Sequence, residues 1–112
     1  LASPSALGRP GLGEQTRLPA TFALRQNRPN PFLGRTAIHF DLPVETPVRL
    51  EVFDAQGRLL RTLASGQFPG GFHSVDWDHR DGNGHPVGAG VYLYGIQAGA
   101  FRDQKKMVLL AR

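Results

Sequence analysis

From Arg35 onward, apolar residues recur at every second position. Ile38, Phe40 and Leu42 fall on one face and His39 and Asp41 on the other, as in a half-buried strand. Val48, Leu50 and Val52 then alternate with Arg49, Glu51 and Phe53. Asp54–Gly57 is a tight reversal with glycine where a positive φ is wanted. Leu59, Leu60 and Leu63 lie in the returning strand, over about residues 58–65. Gly66–Gly71 reads as a loop, after which His73, Val75 and Trp77 share a face. Val91–Ile96 is aromatic and β-branched, Ala98–Ala100 turns the chain, and Phe101–Leu110 is the last strand. A short first strand over residues 21–25 brings the number to seven. No segment has a helical period. Seven strands separated by turn signals predict an all-β, antiparallel immunoglobulin-like β-sandwich with Phe40, Leu50, Val52, Val75 and Trp77 buried.

The intervals are as informative as the strands. Of 112 residues, 14 are Gly and 9 are Pro, dense punctuation for a small domain. Residues 1–17 carry Pro and Gly without hydrophobic period and are expected to be a flexible linker, leaving 18–112 as the folded domain. The sequence begins at Leu1 rather than Met, which reads as part of a longer protein. Asn27–Phe32 holds two prolines and cannot sit inside a sheet ladder, so it is expected to be a rigid turn or edge segment. Asp78–Gly90 is rich in Asp, Asn, Gly and Pro and is expected to be a long loop.

Charge and composition then narrow the chemistry. The net charge is +4. Five Arg (Arg9, Arg17, Arg25, Arg28, Arg35) against Glu14 place the basic excess in residues 1–40, and the remainder is balanced. That argues for a charged leader and against nucleic-acid binding, which clusters cations on one face of a fold. No apolar run is long enough to span a bilayer, so no membrane insertion is expected. With no Cys, the sandwich has no disulfide and no thiolate chemistry. Asp76, Asp78, Asp81 and Asn83 are the weak candidates for a Ca²⁺ site, yet they miss the EF-hand spacing and are also ordinary turn formers. His39, His73, His79 and His85 lack zinc spacing, and no nucleophile or phosphate-loop motif occurs, so no enzyme activity and no cofactor are expected. Trp77, Tyr92 and Tyr94 would offer a sugar-stacking platform if they faced solvent. A carbohydrate-binding or cell-attachment module of a secreted hydrolase is therefore the alternative function.

Five blocks in order carry a resemblance: PNPF at Pro29–Phe32, IHFDLP at Ile38–Pro43, VRLEVFDAQGRLLRTL at Val48–Leu63, GGFHSVDWDHRDGNGHPVGAGVYLYGI at Gly70–Ile96, and KKMVLL at Lys105–Leu110. Together they resemble the C-terminal sorting domain of the type IX secretion system, related to the Ig-like domain of flagellar hook-capping proteins. The resemblance implies a module carried behind a secreted cargo. It would address that cargo from the periplasm to an outer-membrane translocon or its shuttle, and then to the outer-membrane surface or the medium. It also implies a sortase-like protease that cuts in the preceding linker and anchors the cargo. It further points to Pro29, Asn30, Pro31, Gly90, Val91, Tyr92, Lys105 and Lys106 as recognition residues. Each has a plainer reading: Asn30 as an Asx-turn, Gly90 as a strand start, Tyr92 as core, and the lysines as protection of an edge strand. The two readings are compatible if the signal is the folded hairpin of Val91–Ile96 and Phe101–Leu110 with an unpaired edge. Lys105 and Lys106 would then point to opposite faces.

Overall fold

The computed structural model describes residues 17–111, and the linker expected over 1–17 lies outside them apart from Arg17. Seven strands form: β1 (Ala23–Leu24), β2 (Thr36–Leu42), β3 (Thr46–Phe53), β4 (Leu59–Phe68), β5 (Gly71–Trp77), β6 (Gly90–Ala98) and β7 (Phe101–Leu109). All pairings between them are antiparallel, and there is no helix among the described residues. One sheet has the order β1-β2-β5 and the other β4-β3-β6-β7. This is the expected immunoglobulin-like sandwich.

The period-two faces meet between the sheets. Ile38, Phe40 and Leu42 of β2 face Leu50 and Val52 of β3, Tyr94 and Ile96 of β6, and Met107 of β7, all buried. Trp77 closes one end of this core. Its ring lies 6.0 Å from Phe32 and meets Tyr92 edge-on at 5.5 Å. Of the five side chains expected inside, Phe40, Leu50, Val52 and Trp77 are buried. Val75 is only half-buried, because β5 is the outer strand of its sheet and packs against the core from the rim.

Two element boundaries differ from the sequence reading for a physical reason. β4 runs on to Phe68, so Gly66–Phe68 is strand and not loop. Those residues pair with Thr46–Val48, and Phe68 sits edge-on to Phe40 at 5.8 Å. Long-range pairing overrides the local turn signal of Gly66, whose φ of 137° suits only glycine. Two register shifts also leave Leu60 and Leu63 as extra residues in β4, and both pack against the core. These bulges break the period of two that a sequence pattern needs. The first strand is shorter than expected, two residues instead of five.

Candidate recognition surface at the last strand

β7 ends its sheet, so one row of its backbone groups faces outward. The residues whose N–H and C=O point to that edge are the even-numbered ones, since Val108 and Leu110 bond outward. Along Lys106–Leu110 the edge is occupied. Phe32 N–H donates to Val108 C=O, and Leu110 N–H donates to Phe32 C=O. Asn30 Oδ1 accepts from Val108 N–H at 2.9 Å, and the Gln26 side-chain amide donates to Lys106 C=O at 2.8 Å. The segment Asn27–Phe32 is therefore a strap laid on the last strand. At the other end of β7, Gln104 N–H is turned back onto the Asp103 carboxylate. Among the described residues, no strand pairs with the edge over Phe101–Lys105.

What holds the strap is a buried polar knot. The Tyr94 hydroxyl accepts from Asn27 N–H at 2.8 Å and donates to Arg25 C=O at 2.7 Å. The Asn27 side-chain amide donates to Thr36 Oγ1 and to Pro29 C=O, which also accepts from the Thr36 hydroxyl. Asn27, Thr36 and Tyr94 are all fully buried, so each bond replaces water that has been excluded. Burial pushes the Tyr94 phenol up to about 12, against a lowering by its bond to Asn27. Phe32 anchors the strap's far end beside Trp77. The Arg28–Pro29 and Asn30–Pro31 peptide bonds are cis.

The structure thus brings together some of the residues singled out from sequence. Asn30 meets β7 directly. Its side-chain oxygen accepts from Val108 N–H, so the Asx-turn reading of Asn30 is corrected: the local turn is tied by Asn27 instead. Pro29, Asn30 and Pro31 are all exposed on the outside of the strap. Gly90 starts β6 with φ 152°, and a Cβ there would meet no atom within 4 Å. Its requirement is therefore conformational, not spatial. Val91 is exposed, while Tyr92 is buried and its hydroxyl donates to Gly88 C=O at 2.5 Å. Lys106 is exposed on the outer face, and Lys105 is half-buried on the opposite one, 4.0 Å from Asp103. Sequence reasoning missed Asn27, Thr36 and Gln26. The available signal was Tyr94, since a buried phenol needs hydrogen-bond partners.

Other candidates separate. Trp77, Tyr92 and Tyr94 are all buried, so they form no stacking platform for sugars; they are the core of the sandwich. Trp77 Nε1 spends its donor on Arg80 C=O. The four oxygen-bearing residues proposed for Ca²⁺ point to different partners. Asp76 faces Arg35 at 3.8 Å, and Asp78 pairs with Arg61 at 2.8 Å. Asp81 Oδ1 accepts from the N–H groups of Asn83 and His85 and closes its own turn. Burial pushes the Asp78 carboxyl up, but the Arg61 charge and hydrogen bond outweigh it and hold it below the usual range. The charge reading also changes. Arg25, Arg28 and Arg35 belong to the folded body, not to a leader.

Comparison with known proteins completes the description. A family model described as the FlgD Ig-like domain matches residues 29–100. No curated protein matches the chain. Among solved structures, dimeric latent PorU from Porphyromonas gingivalis is similar at 22% identity and TM-score 0.63, over 83% of this chain and 10% of that one. PorZ, described as an essential surface component of the type-IX secretion system of the same organism, is similar at 19% identity and TM-score 0.53, over 80% of this chain and 11% of that one. FlgD from P. aeruginosa is similar at 24% identity and TM-score 0.53, over 66% of this chain and 58% of that one. The chain therefore spans about a tenth of PorU and PorZ and less than two thirds of FlgD. At these identities the likeness is one of fold.

Proposed function

The chain belongs to the FlgD Ig-like domain family, and from that premise we propose that it is a non-catalytic, cofactor-free sorting module of the type IX secretion system. It travels behind a secreted cargo through the periplasm and delivers it to the outer-membrane surface or the medium. Its partners are the translocon or its shuttle and a sortase-like protease that cuts in the preceding linker and anchors the cargo. The carrying observation is that the fold extends over 80% of this chain in PorZ, itself described as a component of that secretion system. The five sequence blocks, running from the strap to β7, support the same reading.

The signal is the β6–β7 pair with its strap: Pro29–Asn30–Pro31 outside, Gly90–Val91–Tyr92 at the start of β6, and Lys105 with Lys106 on the edge strand. An open strand edge offers backbone groups for pairing with a partner. The test fuses the chain to a periplasmic reporter in a host that has this secretion system. Surface delivery of the reporter is expected, and retention in the periplasm would overturn the proposal. Lys105→Ala with Lys106→Ala is expected to leave melting nearly unchanged, because Lys106 is exposed and Lys105 makes only a 4.0 Å contact with Asp103. The same pair is expected to lower delivery, and full delivery would remove the lysines from the signal. Gly90→Val blocking delivery in a folded protein would then place recognition at the Gly-Val-Tyr turn. Family membership favours one second reading, a hook-capping part that contacts flagellar subunits. It predicts that the fusion stays in the periplasm whatever residues stand at 105 and 106.

A further inference from the structure

We propose that the seam between β1 and β7, with the outer face of the three-stranded sheet beside it, binds an extended acidic peptide segment that carries an apolar side chain. Phe22 stacks on Phe101 with ring centroids 5.5 Å apart, and Gln26 bonds to Lys106, so the β1 segment runs alongside β7. Both strands end their sheets at this side. A cavity of about 510 Å³ opens there, lined by Arg25, Arg28, His39, Asp41, Phe72 and Lys105 among others. The sheet register explains its shape. Ala23, Asp41 and Phe72 stand in one cross-strand row, and His39 and Ser74 in the next. Short side chains at Ala23 and Ser74 leave a hollow beside Phe72, a large apolar side chain left 62% exposed.

Charge selects the occupant. The described residues hold eleven Lys or Arg against eight Asp or Glu. Arg25, Arg28 and Lys105 line the cavity, with Asp41 as its one carboxylate. The lining is therefore cationic on balance. Asp41 is buried and holds Arg25 at 2.5 Å, which fixes that guanidinium over the cavity and neutralises it. Among the described residues Arg28 has no carboxylate partner, and Lys105 lies 4.0 Å from Asp103, at the limit of an ion pair. These two are the cations left for a ligand. Carboxylates over Arg28 and Lys105, with an apolar side chain against Phe72, suit a chain whose acidic and apolar residues alternate, as along a strand. An extended backbone also suits the uncovered edge of β7.

This inference names a partner chemistry for the sorting surface and rests on that reading only for the partner's role. Its test uses residues outside the signal set. The probe is a fluorescein-labelled peptide of repeated Glu-Val-Asp-Leu, titrated with the whole chain and read by anisotropy at low salt. Binding is expected, with the Gln-Val-Asn-Leu counterpart about tenfold weaker or worse. Arg28→Glu is expected to weaken binding by about tenfold, and Phe72→Ser by about threefold or more, both with an unchanged melting curve because the side chains are exposed. Arg28→Gln, expected to lose less, stands in if the charge reversal disturbs folding. Absence of peptide binding, or wild-type binding by both Arg28 and Phe72 variants, overturns the inference. An oligothymidylate of equal charge that binds as tightly and resists Phe72→Ser overturns it in favour of a general polyanion surface. Export of the reporter by the unaltered chain tests the sorting reading separately.

Discussion

Asn27–Phe32 and Asp78–Gly90 look alike in sequence: both are irregular, and both are rich in Pro, Asn, Asp or Gly. The folded molecule treats them differently. The strap spends its polar groups across the chain, on Tyr94, Thr36 and Val108, and buries Phe32 in the core. The long loop largely closes on itself. Asp81 holds Asn83 and His85, Arg80 reaches Gly84 C=O, and Val87 N–H returns to His79 C=O. Its other ties run to Leu60, Arg61, Gly34, Trp77 and Tyr92. Turn composition says that a segment departs from the ladder. It does not say whether the segment's hydrogen bonds are local or belong to the tertiary structure.

The sharpest break of this contrast is Phe32→Ala. The ring is 1% exposed, so removing it is expected to cost about 3–5 kcal/mol, read by urea denaturation. A cost below about 1 kcal/mol would mean that the strap lies on the core without belonging to it. Tyr94→Phe comes next, at about 1–3 kcal/mol, because it leaves Asn27 N–H and Arg25 C=O buried without that partner. It also carries a pH signature. The folded phenol is raised to about 12, above its ordinary value near 10. Its contribution is therefore complete below about pH 10 and is lost as pH rises through 12, at about 1.4 kcal/mol per pH unit. The Phe variant is expected to lack that alkaline slope, and an unchanged slope would show that Tyr94 is not its source.

The same contrast separates what was legible in the sequence from what was not. The sheets were legible because a period of two depends only on neighbours, so Phe40, Leu50, Val52 and Trp77 could be placed inside before any contact was known. The end of β4 was not, because pairing with β3 holds Gly66–Phe68 and two bulges interrupt its period. At the candidate site the blocks were visible, but their connection was not. Asn30 and Val108 are 78 residues apart, and nothing local to either predicts the bond between them. The cationic seam was hidden for a similar reason. Counting along the chain put Arg25 and Arg28 in a leader, whereas folding sets them beside Lys105.

Asn30→Ala tests the strap at its outer end, where the effect is smaller. Val108 N–H would lose its acceptor at a solvent-accessible edge, so water can replace part of the bond. A loss of about 0.5–1.5 kcal/mol is expected by thermal or urea unfolding. Hydrogen exchange gives the finer reading. The Val108 amide is expected to exchange faster in the variant, while the β3–β6 amides of the central ladder keep their protection. Uniform acceleration would mean that the strap's outer end is coupled to global unfolding.

Asp81→Ala probes the self-contained loop and is expected to be the mildest of these changes. The carboxylate accepts from His85 and Asn83 N–H, but both bonds close a turn of five residues that water reaches. The variant is expected to lower the melting temperature by less than about 5 °C. It is also expected to leave peptide binding and reporter export unchanged. The acid side gives the sign. The His85 N–H bond, more than any other contact, holds the Asp81 carboxyl below its ordinary range, with the Asn83 N–H adding to it. A depressed carboxyl supports the fold above its ordinary pKa near 3.9 and loses that support as pH falls below it. Wild type and Asp81→Ala should therefore converge in stability on acidification below about pH 4 and stay separated at neutral pH. A variant that melts far lower, or that diverges further in acid, would tie this loop into the core as firmly as the strap and erase the distinction between them.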